Sequence, residues 1–447
     1  MTKKNILNHL HFSRPTKEQE TVLKAMEQFV NKRNPYDFMV LCGAAGTGKT
    51  SITAALIGHL NEMGTTYKIA APTGRAARIL GRKAKTTTST IHSMIYTPKS
   101  DNETGKVTFK LKSGHNSNPT IYIIDEASMI PKTIDKQQNI FHVEKGLIFD
   151  LIHYIKKANN DNKIIFLGDR YQLPPIDEIE SYALNKDFLE KTFNLKGHSY
   201  LLTEIKRQED GSYILENATE IRKAIDSGEK SHPLDGNQNR NIYAAADKYA
   251  REIEKDGLEN QVAIGVSHKA NKFFNDLIRE RIFGKAKRIL EPRDLLMVTQ
   301  NWYRNGTQLY NGDHVQLLSI DWNLQEQVAG LHFVAVEIKV LFSESETIIE
   351  DYVILETVLT PGGILDGKLE NELRKQRYIK NKIFRESNMP SDDRYVGALR
   401  LTYGNAITCN KAQGGEWKKV YINTMGIPSL KWQYTAVTRG IDEIEKF

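Results

Sequence analysis

The segment Gly43-Ala44-Ala45-Gly46-Thr47-Gly48-Lys49-Thr50, with Ser51 behind it, constrains this chain more than any other stretch. It fits the pattern G-x-x-x-x-G-K-[ST], and its flanks are the ones that pattern needs. An apolar run from Phe38 to Cys42 precedes it, long enough for a buried strand, and a helix-like run from Ser51 to Leu60 comes after it. Strand, glycine loop and helix start together make an anion site, because loop N–H groups and the helix N-terminus converge on phosphate. In that arrangement the residues from Gly43 to Ser51 cradle a nucleotide. Lys49 reaches the β- and γ-phosphates, and the Thr50 hydroxyl is a ligand for Mg2+.

Two more strand ends carry chemistry. Ile121-Tyr-Ile-Ile-Asp125-Glu126 is an apolar strand closing on two acids. Beside a phosphate loop, Asp125 can hold Mg2+ through water, and Glu126 can orient and deprotonate the attacking water. The run from Ile164 to Pro175 repeats the format, with Gly168, Asp169 and Gln172 at the tip and Pro174-Pro175 stiffening the chain beyond it. A Gln there can bond a γ-phosphate or its water, although a Gly-Asp-x-x-Gln turn is as often structural.

At 447 residues the chain is too long for one core. Its 40% hydrophobic and 26% charged content is that of a soluble globular chain. No apolar run approaches the ~20 residues of a membrane span. Met1-Thr-Lys-Lys-Asn-Ile-Leu lacks the apolar core of a signal peptide. Cys42 and Cys409 have no metal-ligand spacing, which leads to the expectation of a reduced, cytoplasmic setting. The net charge of +7 leans towards a polyanionic partner without selecting one.

Strand candidates Phe38–Cys42, Tyr67–Ala71, Ile121–Ile124 and Lys163–Leu167 alternate with helical stretches, which predicts an α/β fold, a parallel sheet covered on both faces. Between the second and third, Lys106 to Lys112 alternates strictly, with Val107, Phe109 and Leu111 on one face, and Met94–Lys99 is its candidate partner. This predicts an inserted β-hairpin. A second α/β pattern starts near Leu201, with a strand at Val262–Ser267 and a helix at Asn271–Phe283. β-Rich alternation occupies His314–Ile320, Leu331–Phe342 and Thr347–Val358, and a basic helical stretch, Lys368–Arg385, comes next. The α/β texture returns at Leu399–Thr408 and Lys419–Asn423.

These motifs, in order, are similar to those of superfamily 1B helicases of the RecD-like branch, which includes the Dda helicase of T-even phages. The resemblance runs from about Pro15 to Arg439. Thr16-Lys-Glu-Gln19 resembles the Q motif, whose Gln reads adenine and so implies ATP; it is also a good helix start. The loop at Gly43–Thr50 resembles motif I. Ala71-Pro-Thr73-Gly-Arg75 resembles motif Ia, and Thr90-Ile-His92 the next strand-contacting motif. Asp125-Glu126 matches motif II and Gly168–Pro175 motif III. Leu202-Thr-Glu204-Ile-Lys-Arg207 resembles motif IV, and Tyr434-Thr-Ala-Val-Thr438-Arg439 motif VI. Their arginines touch the γ-phosphate in the family. Ile407-Thr408-Cys-Asn410-Lys411 to Trp417 resembles motif V. The chain departs from the family at Asn410, where His is more common. It also stops at Phe447, eight residues after Arg439, where the family usually continues through a closing strand.

The resemblance implies two RecA-like domains flanking the ATP site: 1–93 with 113–200, and 201–313 with 396–447. It places a duplex-splitting pin at 94–112, with Phe109 or Tyr96 stacking on the last base pair, and an SH3-like β domain at 314–395, whose basic helix would line the strand exit. Catalytic roles fall to Lys49, Glu126, Gln172, Arg207 and Arg439. Nucleic-acid contacts fall to Thr73, Arg75, His92, Phe109, Thr408, Asn410 and Lys411. Expected partners are single-stranded DNA and duplex junctions, with replication or recombination proteins as companions. The expected setting for a monomer is a bacterial cytoplasm or a phage-infected cell. The leading expectation is an ATP-dependent DNA helicase moving 5′ to 3′. An RNA-acting superfamily 1 helicase and a non-unwinding, DNA-dependent regulatory ATPase stay open at this level.

Overall fold

Six strands align in parallel around the Phe38–Gly43 segment. Across the sheet their order is Ser89–Thr90, Tyr67–Ala71, Ile121–Ile124, Lys163–Gly168, Phe38–Gly43 and Gly197–Leu202. Successive side chains leave opposite faces, and both faces are covered. Phe38, Val40, Tyr122, Ile124 and Phe166 enter one core with helix Leu147–Ala158. Met39, Leu41, Ile123, Ile165 and Leu167 enter the other with helices Lys17–Phe29 and Lys49–Met63. Double coverage is why the sequence shows unbroken apolar runs here rather than alternation.

The computed structural model describes residues 5–10, 14–100, 107–114, 118–134, 145–204, 213–342 and 346–447, with backbone alone at 83, 98–100 and 107–109. The chain divides into two compact units, Met1–Lys99 with Thr108–Leu215, and Ser100–Val107 with Glu216–Phe447. Among the described residues no helix is long and apolar enough to cross a membrane.

The second unit contains a five-stranded parallel sheet in the order Ala406–Thr408, Gln261–Gly265, Trp417–Ile422, Gly440–Lys446, Asn237–Gln238. Gly440–Lys446 pairs on both sides in this sheet, with Trp417–Ile422 and Asn237–Gln238. The same unit holds a five-stranded antiparallel sheet ordered Ile348–Ile354, Leu331–Val340, His314–Val328, Leu295–Val298, Leu401–Tyr403. The buried pair Arg279–Asp294, 2.6 Å, ties helix His268–Phe283 to the entry of that sheet.

Several boundaries differ from the sequence expectation. Gly197–Leu202 is the edge strand of the first sheet, so the first unit runs past residue 200. Its alternating exposure hides an edge strand from a search for apolar runs. The antiparallel sheet takes in Leu295–Val298 and Leu401–Tyr403 and so exceeds 314–395 at both ends. Those short, fully buried strands read as α/β texture. The Thr347–Val358 strand ends at Ile354, and Leu355–Leu359 is helical. Met94 and Ile95 lie in helix Ile91–Ile95, so the hairpin strands are Tyr96–Ser100 and Val107–Leu111. Tyr96 is not a stacking residue: it is buried, and its hydroxyl donates to Asp150 Oδ2 at 2.6 Å.

The basic stretch forms helices Gly367–Lys380 and Lys382–Ser387. Arg377 pairs with buried Asp393 at 2.8 Å, and Arg374 leans on Glu370 at 3.6 Å. Lys375, Lys380, Lys382 and Arg385 are exposed or half-buried. Of these cations, Arg374 and Arg377 thus hold the module together.

Candidate nucleotide site and nucleic-acid interface

The phosphate loop, the two acids and Gln172 lie beyond the carboxyl ends of parallel strands, where loops of an α/β sheet gather on one edge. The phosphate loop comes directly after Phe38–Gly43. Gln172 lies beyond the neighbouring Lys163–Gly168 strand, and Asp125-Glu126 close the strand after that. Two inter-strand spacings separate the acids from the loop, roughly 10 Å across the sheet.

Helix Lys49–Met63 begins at Gly48 without a side-chain cap, which leaves its first-turn N–H groups for a ligand. Gly48 has φ +85°, and a Cβ there would sit 2.7 Å from Gln19 Nε2, so both backbone and space demand glycine. Thr47 is buried, and its hydroxyl donates to the Ala44 carbonyl at 2.8 Å. Lys49 Nζ donates to the loop carbonyls of Gly43 and, at 3.1 Å, Ala44. Ala45, Thr50 and Ser51 are half-buried around this cradle.

Gln19 does two jobs. It completes a capping box with Thr16, whose N–H donates to Gln19 Oε1 at 3.0 Å while Thr16 Oγ1 accepts from Gln19 N at 3.2 Å. Its Nε2 donates to the Thr47 carbonyl at 2.9 Å and fastens the helix start to the loop. The neighbouring Glu18 has a role that the motifs do not announce. Its carboxylate accepts from Thr203 N (2.6 Å), Thr203 Oγ1 (2.6 Å) and Glu204 N (2.9 Å). Burial works against its charge, but the Glu204 N–H and the Thr203 hydroxyl and N–H hold it below the usual carboxylate range. A lone Glu two residues inside a helix carries no sequence signal for this.

Glu126 adopts φ +48°, the left-handed region a side chain enters at a cost of about 1 kcal/mol or more. Asp125 N donates to the Ala70 carbonyl at 2.9 Å, fixing the turn. Gln172 is 4% exposed, and its Oε1 has no hydrogen-bond partner among the described residues. A buried amide oxygen left so is costly, and this one lies at the loop edge of the strand between the acids and the phosphate loop. Arg207 lies outside the described residues.

Of the expected strand contacts, Thr73 caps helix Gly74–Ala84, accepting from Ala76 N at 3.2 Å. Arg75 is 8% exposed, so it is no freely projecting cation. His92 has its pKa lowered by burial, which leaves it neutral and suited to hydrogen bonding. Phe109 stands in the hairpin strand, and its side chain lies outside the described residues. In the second unit, Thr408 ends its strand and enters helix Cys409–Ala412 without capping it, and Asn410 is half-buried. Lys411 Nζ donates to Asn311 Oδ1 at 2.6 Å, and burial pulls its ammonium down to about 8. Arg439 is 5% exposed. Its guanidinium donates to the carbonyls of Thr435 and Gly415 and to Thr438 Oγ1, each at 3.1 Å.

A family model described as an AAA domain matches residues 16–240, from the capping box through the whole phosphate-loop sheet. The chain belongs to that family. It is 28% identical over 269 residues to the ATP-dependent DNA helicase dda of Enterobacteria phage T4, covering 57% of this chain and 55% of that protein. It is 24% identical over 164 residues to the ATP-dependent RecD2 DNA helicase of Deinococcus radiodurans, covering 36% of this chain and 20% of that one. The chain thus aligns with between a fifth and just over half of these relatives' lengths. With these relatives, the superfamily 1B, RecD- and Dda-like reading of the motifs holds. The crystal structure of Pif1 helicase from Candida albicans shares the fold over 98% of this chain and 95% of that one, at 14% identity and a TM-score of 0.50.

Proposed function

We propose that this chain is an ATP-dependent DNA helicase that moves 5′ to 3′ on single-stranded DNA and opens duplexes ahead of it. The observation carrying this reading is the convergence on one sheet edge of an uncapped phosphate loop, two acids and the buried Gln172 amide oxygen, unpartnered among the described residues, in a chain of the RecD- and Dda-like family. Lys49 leaves its loop carbonyls for the β- and γ-phosphates. Glu126 takes the proton of the attacking water, and Gln172 Oε1 accepts from that water and so registers the γ-phosphate. Arg207 and Arg439 supply cations to the transition state, which for Arg439 means exchanging neutral acceptors for phosphate oxygens. Magnesium fits the donor set, since the Thr50 hydroxyl and the Asp125 carboxylate offer the oxygen ligands a hard cation takes. Bound there, it would neutralise phosphate charge.

Thr73, Arg75, His92, Thr408, Asn410 and Lys411 form the strand path in this reading. The hairpin is the pin, and the antiparallel sheet, with the exposed lysines of its two helices, is an SH3-like module. The protein works as a monomer in a bacterial or phage-infected cytoplasm. Steady-state ATP hydrolysis with and without single-stranded DNA or RNA tests the proposal, together with unwinding of 5′-tailed and 3′-tailed duplexes. DNA-stimulated turnover and opening of 5′-tailed substrates are expected. Stimulation by RNA alone, or turnover without unwinding, would favour the alternatives.

A further inference from the structure

We propose that His9, His59 and Glu62 form a site for a divalent transition-metal ion of the zinc class. His9 ends the short 3-10 turn Ile6–His9. His59 and Glu62 stand three residues apart on helix Lys49–Met63, a spacing that puts both on one face. One ligand atom from each of the three lies within 4.8 Å of the others, and His9 Nε2 is 3.0 Å from Glu62 Oε2. A tetrahedral ion with bonds of about 2.0–2.1 Å holds its ligand atoms roughly 3.3 Å apart, so modest side-chain rotation completes the set.

The backbone prepares the site. At Gly58 a Cβ would lie 2.8 Å from His9 Nδ1 and 3.0 Å from its Cγ, so the glycine is the notch that seats the ring. The two imidazoles meet edge to face, with centroids 6.1 Å apart. His59 is buried and Glu62 is exposed, which directs a fourth position towards water. Two imidazole nitrogens and one carboxylate oxygen are the ligands of zinc rather than of Mg2+ or Ca2+, which take oxygen throughout. The site is separate from the nucleotide's own cation. It sits about ten residues along the helix from Lys49, roughly 15 Å away. Its effect would be to fasten the N-terminal turn onto the helix that starts at the phosphate loop.

The test uses the full chain, freed of metal with a chelator and titrated with Zn2+ in the absence of nucleotide. Equilibrium dialysis gives stoichiometry and affinity, thermal unfolding gives the midpoint, and Co2+ reports coordination through its visible bands. Expected are one Zn2+ per chain, a raised midpoint and the spectrum of a four-coordinate ion. His9→Asn and Glu62→Gln should each weaken binding by on the order of 100-fold. Gly58→Ala separates a metal site from a plain His9–Glu62 ion pair. The alanine Cβ displaces the His9 ring and should weaken zinc binding, and the metal-free midpoint read beside it shows that the fold is kept. Absence of stoichiometric zinc on the wild type, or equal zinc binding by wild type, His9→Asn and Gly58→Ala, overturns the proposal.

Discussion

At Glu126 a side chain is held in a backbone region that glycine enters freely, and the strain sits one residue after a buried strand. Such strain persists where the surroundings over-determine the conformation. Glu126→Gln keeps that shape and removes the base assigned in the proposed reading. Binding of Mg-ATP should survive while turnover falls by roughly 10²–10⁴. Single-turnover hydrolysis beside a nucleotide-binding titration checks this, and joint loss of both would make the residue structural. Lys411 gives a pH signature. With its ammonium lowered to about 8, it is charged at pH 7 and neutral by about pH 9, whereas ordinary lysines keep their charge. Oligonucleotide affinity should therefore fall between about pH 7 and 9, with the salt slope losing about 1. Lys411→Arg should hold its affinity across that range. A pH-independent wild type would remove Lys411 from the strand path.

Among the elements, helix Lys17–Phe29 links two regions that sequence keeps apart. Gln19 binds the phosphate loop through Thr47, and Glu18 binds Thr203 and Glu204, where the chain leaves its edge strand towards Arg207. Two adjacent side chains of one helix thus hold both the phosphate loop and that exit. Glu18→Ala should speed hydrogen exchange at the Thr203 and Glu204 amides. It should cost about 1–2 kcal/mol of stability, a modest value for charge-assisted bonds at a half-exposed carboxylate. Because the folded pKa is depressed, the clamp's contribution is full above the ordinary carboxylate value of 4.5 and is lost as pH falls through the folded value. Unchanged exchange would mean the contact carries no load. The hairpin is the second element at issue. Leu111 packs on the domain core, so its base belongs to the fold. Phe109→Ala should leave DNA-stimulated ATPase near normal and slow unwinding, since an aromatic at the junction offsets part of the ~1–2 kcal/mol stacking cost of each base pair. Parallel loss of both activities would place the ring in the core.

For the molecule as a whole, the first sheet is legible in the sequence because its strands are buried on both faces and end in loops with fixed residue types. The apolar runs Phe38–Cys42 and Ile121–Ile124 mark their strands to within a residue of the observed ends. Gly197–Leu202 escapes the same search because an edge strand is covered on one side only. Leu295–Val298 and Leu401–Tyr403 escape it because pairing across roughly a hundred residues leaves no local signal. The candidate site is legible in its motifs but not in its supports: the Glu18 clamp, the Gln19 tether and the Arg439–Gly415 bond are all tertiary. The proposed direction of travel belongs to this scale too. A motor reading only phosphate and sugar binds strands without sequence choice and loses affinity steeply with salt, because each neutralised phosphate releases counterions. Polarity is a separate property, set by which end of the strand enters first. Duplexes identical but for a 5′ or a 3′ single-stranded tail isolate it. The 5′-tailed duplex should open and the 3′-tailed one should not, with binding to the two tails equal at each salt concentration. Opening of the 3′-tailed duplex alone would leave the ATP site as described and reverse the assigned direction.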